Sequence, residues 1–279
     1  MQVKARPLAT QALTTAFVFV FSSALALESP TPGTPSPGAQ VVVAADTGSA
    51  QRAAVEQDLV LLRSKLKGIP WQLTTGYSAA ASVLTRQLKT AATEAERQPL
   101  AERARLLRAH ADAMAANRRE RRSKTGARAA EQALIDHHQL SGKVVVVSLL
   151  EQVSRLYQDK KLVASLPVVT GRPTLPTPPG LWRVQKKRAP FRFVSLSPPG
   201  DPYYYPPSDV KFAIEFRKYF YLHDAPWRSV FGAGANLPHA DETSPGFSDV
   251  GTHGCINLSE ADARKLYRWA ELETPIIIY

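Results

Sequence analysis

Scarcity sets the first limits on this 279-residue chain, which holds one cysteine, two methionines and four tryptophans. A single cysteine rules out any intramolecular disulfide, and it leaves no second thiol for a cysteine zinc cage or a Cys-x-x-Cys redox pair. Cys255 is therefore either a small structural hydrophobe or a reactive thiol. Glycine is also modest, at 15 residues beside 22 prolines, which excludes a collagen-like chain, and 44% hydrophobic residues exclude disorder throughout. Acidic residues are the scarcer charge, 24 Asp and Glu against 35 Lys and Arg, for a formal net charge of +11. The excess is uneven: Arg97 to Arg128 holds ten basic and three acidic residues, and Lys143 to Tyr279 holds 17 and 13. Such a balance favours polyanions: nucleic acid, anionic lipid or an acidic cell-wall polymer. The length fits two structural units, one of them large enough for a proper core.

Long apolar runs are scarce too. The densest, AFVFVFSSALAL from Ala16 to Leu27, follows Lys4 and Arg6 and ends in the small-x-small step Ala24-Leu25-Ala26. That is the layout of a secretory signal peptide over residues 1–27. The run is shorter than the roughly 20 residues of a membrane helix, so cleavage is preferred over an uncleaved anchor. Residues 28–50 carry Pro30, Pro32, Pro35 and Pro37 among Ser, Thr and Gly, an extended linker that cannot pack.

From 51 to 140 the composition turns to Ala, Leu, Arg, Glu and Gln, with Val55, Leu59, Leu62 and Leu66 at helical spacing. Gly68 to Pro70 breaks the pattern, Leu84 and Leu88 resume it, and Pro99 predicts a further boundary before Leu107, Ala111 and Met114. Two or three antiparallel helices are expected. Their narrow, Ala-rich stripe suits a helical hairpin or short coiled coil acting as a spacer. The run Arg118, Arg119, Arg121, Arg122 and Lys124 lacks interleaved aromatics, and an exported protein rarely meets nucleic acid, so a nucleic-acid partner is not expected. A solvated helix end, or attraction to an anionic envelope surface, accounts for the run.

After Gly142 the chain becomes strand-rich: Lys143 to Leu150, Val153 to Tyr157, Leu162 to Thr170, Leu181 to Gln185 and Phe212 to Leu222 all read as strands. Asp159-Lys160 punctuates a hairpin. Ser259 with Asp262 three residues on signals the start of a helix with an apolar face of Ala263, Leu266, Tyr267 and Ala270, and Pro275 to Tyr279 closes as a strand. The fold class expected is α+β, with helices first and a β-rich domain over 143–279.

Cys255 lies in Thr252-His253-Gly254-Cys255-Ile256-Asn257, a loop leading to that helix. A thiol of ordinary pKa is only about 3% thiolate at neutral pH, so a nucleophilic cysteine calls for an imidazole within hydrogen-bond reach. His223, His239 and His253 compete for that role, while His110, His137 and His138 belong to the helical half. His253 would have to fold back on the thiol, and His239 sits in a Gly- and Pro-rich loop. His223, just past a strand end and followed by Asp224-Ala225-Pro226-Trp227, is the best-held of the three.

HDAPW at His223 to Trp227, THGCIN at Thr252 to Asn257 and the terminal DARKLYRWAELETPIIIY together resemble the catalytic region of the YkuD family of L,D-transpeptidases. Upstream, KVVVVSLLEQVSRLYQDKKLVASLPVVTG and a TPPG turn are similar to that family's opening strands, so the resemblance covers roughly 143–279 and none of the helical half. It implies a mixed β-sandwich with a capping helix. It makes Cys255 the acylated nucleophile and His223 its base, oriented by the main-chain carbonyl of Asp224. Backbone N–H groups of His253, Gly254 and Cys255 would form an oxyanion hole. Thr252, His253 and Asn257 would shape the site and hold substrate. The implied reaction releases D-alanine from a peptidoglycan stem peptide through a thioester, resolved by an amine to give a cross-link, with no metal or cofactor. Resolution by water would make it an L,D-carboxypeptidase, and a non-catalytic wall-binding protein is the rival of another class.

One departure stands out: 28 residues, Asp224 to Gly251, separate His223 from Thr252, longer than the family's usual gap. Gly232 to Asp249 reads as an added flap, since long loops in compact domains are usually functional. Asp241, Glu242 and Asp249 could bind a cation there, but a solvated acidic loop is the expected reading. Tyr203, Tyr204 and Tyr205 sit on a Pro-bracketed loop, and Tyr205 with Trp227 is a candidate wall of a peptide groove. The chain is expected to be exported to the periplasm or cell envelope.

Overall fold

The computed structural model describes residues 47–123, 128–201, 203–237 and 251–279. The expected signal peptide and all but the end of the Pro-rich linker lie outside these residues, as do Lys124, His239 and most of the long loop with its three acidic residues. Among the described residues no helix is long and apolar enough to cross a membrane.

Among the described residues of the first half there are four helices, not two or three: α1 (Thr47–Lys65), α2 (Trp71–Thr90), α3 (Glu94–Ser123) and α4 (Arg128–His137). The break at Gly68 to Pro70 falls where the sequence places it, with Gly68 at a φ of 80° and Pro70 just before α2. The next break does not. Thr93 and Glu96 form a reciprocal cap, in which the Glu96 N–H donates to Thr93 Oγ1 at 3.3 Å and the Thr93 N–H donates to Glu96 Oε2 at 3.0 Å. This starts α3 upstream of Pro99, which lies inside the helix at the loss of one ladder bond.

The described residues of the second half form one nine-stranded sheet in the order β4-β11-β1-β2-β3-β10-β9-β8-β5, with a separate β6-β7 pair and the helix α5. The strands are β1 (Lys143–Ser148), β2 (Val153–Gln158), β3 (Lys161–Val169), β4 (Gly180–Arg183), β5 (Lys186–Arg188), β6 (Phe191–Phe193), β7 (Ser208–Val210), β8 (Ala213–Arg217), β9 (Phe220–Asp224), β10 (Ile256–Leu258) and β11 (Pro275–Ile278); α5 is Glu260–Trp269. β1 pairs parallel with β11 and β9 with β10, and the other pairings are antiparallel. β4 and β5, at opposite ends of the order, are joined through Val184 and Gln185 alone, whose N–H groups donate to the Thr274 and Glu215 carbonyls. The sheet must therefore curl until its ends meet, and the two layers of the expected sandwich are two sides of one rolled sheet.

The Asp159-Lys160 turn has both residues at positive φ, 49° and 63°, as a two-residue hairpin loop requires. Ser259 caps α5, accepting from the Asp262 N–H at 3.2 Å. The single strand expected over Phe212 to Leu222 is instead the β8–β9 hairpin, turning at Lys218-Tyr219, so His223 lies within β9 rather than beyond its end.

The helices share one core with the sheet and do not stand apart from it as a spacer would; the described residues fall in one compact unit. Leu107, Met114 and Ile135 join Val146 and Ile277 in that core, all at most 0% exposed. Polar groups close the seam. His110 Nδ1 donates to the Ile278 carbonyl at 2.8 Å, and its Nε2 meets His138 Nε2 at 2.8 Å. Glu131, fully buried, pairs with Arg155 and accepts from the hydroxyls of Tyr157 at 2.5 Å and Tyr279 at 2.9 Å. Burial pushes its carboxyl up, against the pull of Arg155.

Candidate active site

Parallel pairing of β9 with β10 places His223 beside Asn257. Side chains two apart on a strand share a face, so the Cys-x-Asn spacing brings Cys255, just ahead of β10, towards the same side as Asn257. Cys255, His223, Thr252, His253, Asn257, Tyr205 and Trp227 all border one cavity of about 660 Å³. Phe193 and Trp227 flank the imidazole, with ring centroids 4.7 Å and 6.0 Å from it.

The imidazole is held at both nitrogens. Nδ1 donates to the Asp224 carbonyl at 2.8 Å, which leaves Nε2 as the acceptor, and there Asn257 Nδ2 donates at 2.9 Å. The Asp224 carboxylate points elsewhere, accepting from the Phe212 and Lys211 N–H groups at 2.7 Å and 3.1 Å. Asn257 is itself fixed by Arg228, whose Nε donates to its Oδ1 at 3.1 Å while Nη2 donates to the Gly251 carbonyl at 2.6 Å. Because an arginine can only donate, the amide oxygen must face it and the amide N–H₂ must face His223. Arg228 is a site residue that sequence reasoning missed; its place directly after the HDAPW segment is the signal that was available.

Burial lowers the His223 pKa to about 4, partly offset by the Asp224 carbonyl, and raises that of Cys255 to about 11. Burial thus favours the neutral thiol and the neutral imidazole over a preformed ion pair. The thiol lies among the rings of Phe193, Tyr205, Tyr221 and Trp227, and its hydrogen-bond acceptor is the Tyr219 carbonyl at 3.9 Å. Tyr219 holds the tight β8–β9 turn at a φ of 70°.

The 252–255 loop closes on itself. Thr252 Oγ1 donates to the Cys255 carbonyl at 2.6 Å and accepts from the Gly254 N–H at 2.9 Å. This corrects the expected oxyanion donors, because the Gly254 N–H is turned inward to Thr252, and it gives the Thr252 hydroxyl a loop-bracing role. Gly254 has a φ of 105°, and a β-carbon there would stand 2.6 Å from the Phe220 ring, so no other residue fits. One His253 ring nitrogen bonds the Tyr204 backbone and Nε2 is buried without a partner, while Tyr205 meets the His253 ring edge-on at 5.5 Å. Among the described residues no group of three or more His, Cys, Asp and Glu could hold a metal ion.

The site on the rolled sheet thus sets one thiol, Cys255, and one imidazole, His223, at the border of a single cavity. Residues 142–278 match the profile of the YkuD family, the L,D-transpeptidase catalytic domain, and that stretch belongs to it. The chain is 33% identical over 117 residues to the Probable L,D-transpeptidase 3 of Mycobacterium tuberculosis, a match covering 40% of this chain and 38% of that protein's length. Among solved structures, an L,D-transpeptidase from Mycobacterium smegmatis is 25% identical, over 50% of this chain and 59% of that one, with a TM-score of 0.40. The L,D-transpeptidase 3 of Mycobacterium tuberculosis in complex with a faropenem-derived adduct is 26% identical, over 49% and 60%, with a TM-score of 0.39.

Proposed function

We propose that this protein is an L,D-transpeptidase of the bacterial envelope, joining peptidoglycan stem peptides through a thioester on Cys255. The observation that carries this reading is that β9 and β10 bring His223, Asn257 and Cys255 to a single cavity. A donor stem lies in that cavity against Tyr205, Trp227 and His253. Nε2 of His223 leaves the Asn257 amide, a neutral hydrogen bond worth about 1 kcal/mol, and takes the thiol proton as Sγ attacks the carbonyl preceding the terminal D-alanine. The carbon–nitrogen bond breaks, and D-alanine departs with the proton that His223 returns to its amine. An acceptor amine then yields a proton to His223 and attacks the thioester carbon. The carbon–sulfur bond breaks, the thiol regains that proton and the cross-link remains.

Because the thiol is neutral at rest, its charge develops only as it attacks, and it passes to the oxyanion at once. The backbone N–H groups of His253 and Cys255 remain our candidates for receiving that charge. The segment of residues 1–27 supports export, and the basic residues of α3 suit an anionic envelope surface. The test is incubation of the purified chain with a tetrapeptide stem, followed by mass spectrometry. Expected are loss of D-alanine, an adduct on Cys255 and a cross-linked dimer. Trimmed tripeptide without dimer would instead make the enzyme a carboxypeptidase, and full turnover by Cys255→Ala would end the enzymatic reading.

A further inference from the structure

The helical half lies outside the matched family, yet one of its helices reaches the back of the catalytic loop. Gly76 of α2 is buried against the Thr177-Pro178-Pro179 turn, where a β-carbon would stand 2.8 Å from the Thr177 carbonyl oxygen and 3.0 Å from Pro179 Cδ. Backbone therefore meets backbone, and only glycine permits it. Thr177 is 2% exposed, and its hydroxyl accepts from the Gly171 N–H at 2.8 Å and donates to the Gly254 carbonyl at 2.9 Å. Gly254 immediately precedes Cys255. The contact is as tight at the next layer, since a β-carbon on Gly171 would lie 2.3 Å from the Leu175 carbonyl oxygen. The gap left between α2 and this turn is about 10 Å³, no more than one water needs, so little can cushion a displacement.

We propose that α2 is a positioning element for the nucleophile: Gly76 seats the helix on the Thr177 turn, and Thr177 grips the Gly254 carbonyl so that Cys255 keeps its place in the cavity beside His223. The inference rests on Cys255 being the nucleophile, as proposed above. It gives the helices a role in the site without their touching substrate. Displacing the turn frees the Gly254 carbonyl, loosens the loop and lets water reach a thiol now held among aromatic rings.

The test uses the full chain as Thr177→Val, Thr177→Ser and Gly76→Ala, with folding checked by circular dichroism. Alkylation of Cys255 by iodoacetamide is followed by mass spectrometry against pH, and turnover of a tetrapeptide stem is measured in parallel. Thr177→Val and Gly76→Ala should alkylate about tenfold faster at neutral pH, their profiles moving towards that of an ordinary thiol. Their kcat for the stem should fall at nearly constant KM, while Thr177→Ser, which keeps the hydroxyl, should follow the parent. Alanine favours a helix interior over glycine, so a loss in Gly76→Ala is not a loss of helix. Should Thr177→Val fail to fold, Gly76→Ala decides alone. Alkylation needs only the thiol, so it reports on positioning even if stem peptides prove not to be the substrate. Folded variants whose profiles superimpose on the parent's, or a Thr177→Ser as altered as Thr177→Val, would overturn the inference.

Discussion

The seam between helices and sheet and the cavity around Cys255 bury polar groups in opposite ways. At the seam Glu131, Arg155, Tyr157 and Tyr279 close on one another, and a buried charge is tolerated because each partner is in place. In the cavity the thiol and imidazole lie among rings, the thiol reaches the Tyr219 carbonyl over a long 3.9 Å and bonds the Tyr221 backbone, and the imidazole is held by the Asp224 carbonyl and by an amide it can exchange. The first arrangement supplies rigidity, and the second, under the function proposed above, leaves groups ready to react. Stability and chemistry should therefore respond to different mutations.

The sharpest way to break this division is at the sulfur. Cys255→Ala should abolish the acyl adduct in mass spectrometry while the thermal midpoint stays close to the parent's; a large loss of stability would mean that the cavity is also structural. At the seam, Arg155→Met leaves Glu131 buried without its cation and should cost about 3–5 kcal/mol in urea unfolding, with the folded fraction still forming the adduct. Arg228→Met removes the donor that orients Asn257 and should slow adduct formation about tenfold, corresponding to one hydrogen bond of about 1.4 kcal/mol, at little cost in stability.

Proton linkage gives the mildest contrast. Burial lowers His110 to about 3 and His138 to about 4, from the 6.5 of an exposed imidazole. The unfolded chain binds protons at these residues first, so the stability they contribute is complete above about pH 6.5 and declines as pH falls towards 4. Melting temperatures measured from pH 7 to 5 should fall, and less steeply in His138→Gln. If His223 acts as the base proposed above, adduct formation needs its neutral form, which burial holds with a pKa of about 4, and should stay nearly level over that same range. Parallel decline of both would erase the distinction.

What the sequence made legible follows the range of each interaction. The Asp159-Lys160 hairpin and the Ser259 cap are fixed by neighbours within a few residues, and both are where their residues place them. The β8–β9 hairpin was read as one strand because its turn is carried by Lys218-Tyr219, with a bulky aromatic in a conformation usually left to glycine or asparagine. Thr93 and Glu96 carried a capping signal that the more conspicuous Pro99 overshadowed. Within the site, Cys255, His223 and Asn257 stood out through the resemblance, while Arg228 and Thr177 gain their roles only from contacts across the fold, 29 and 77 residues away.

The rolled sheet has a consequence for how copies of the chain meet one another. Its outermost strands, β4 and β5, are tied by two residues, a span of roughly 10 Å at most between their ends. Exposed strand borders are where one polypeptide adds itself to another, and here the two borders turn toward each other. Shape thus does the work that a guarding charge or proline does elsewhere, discouraging fibrous association between copies.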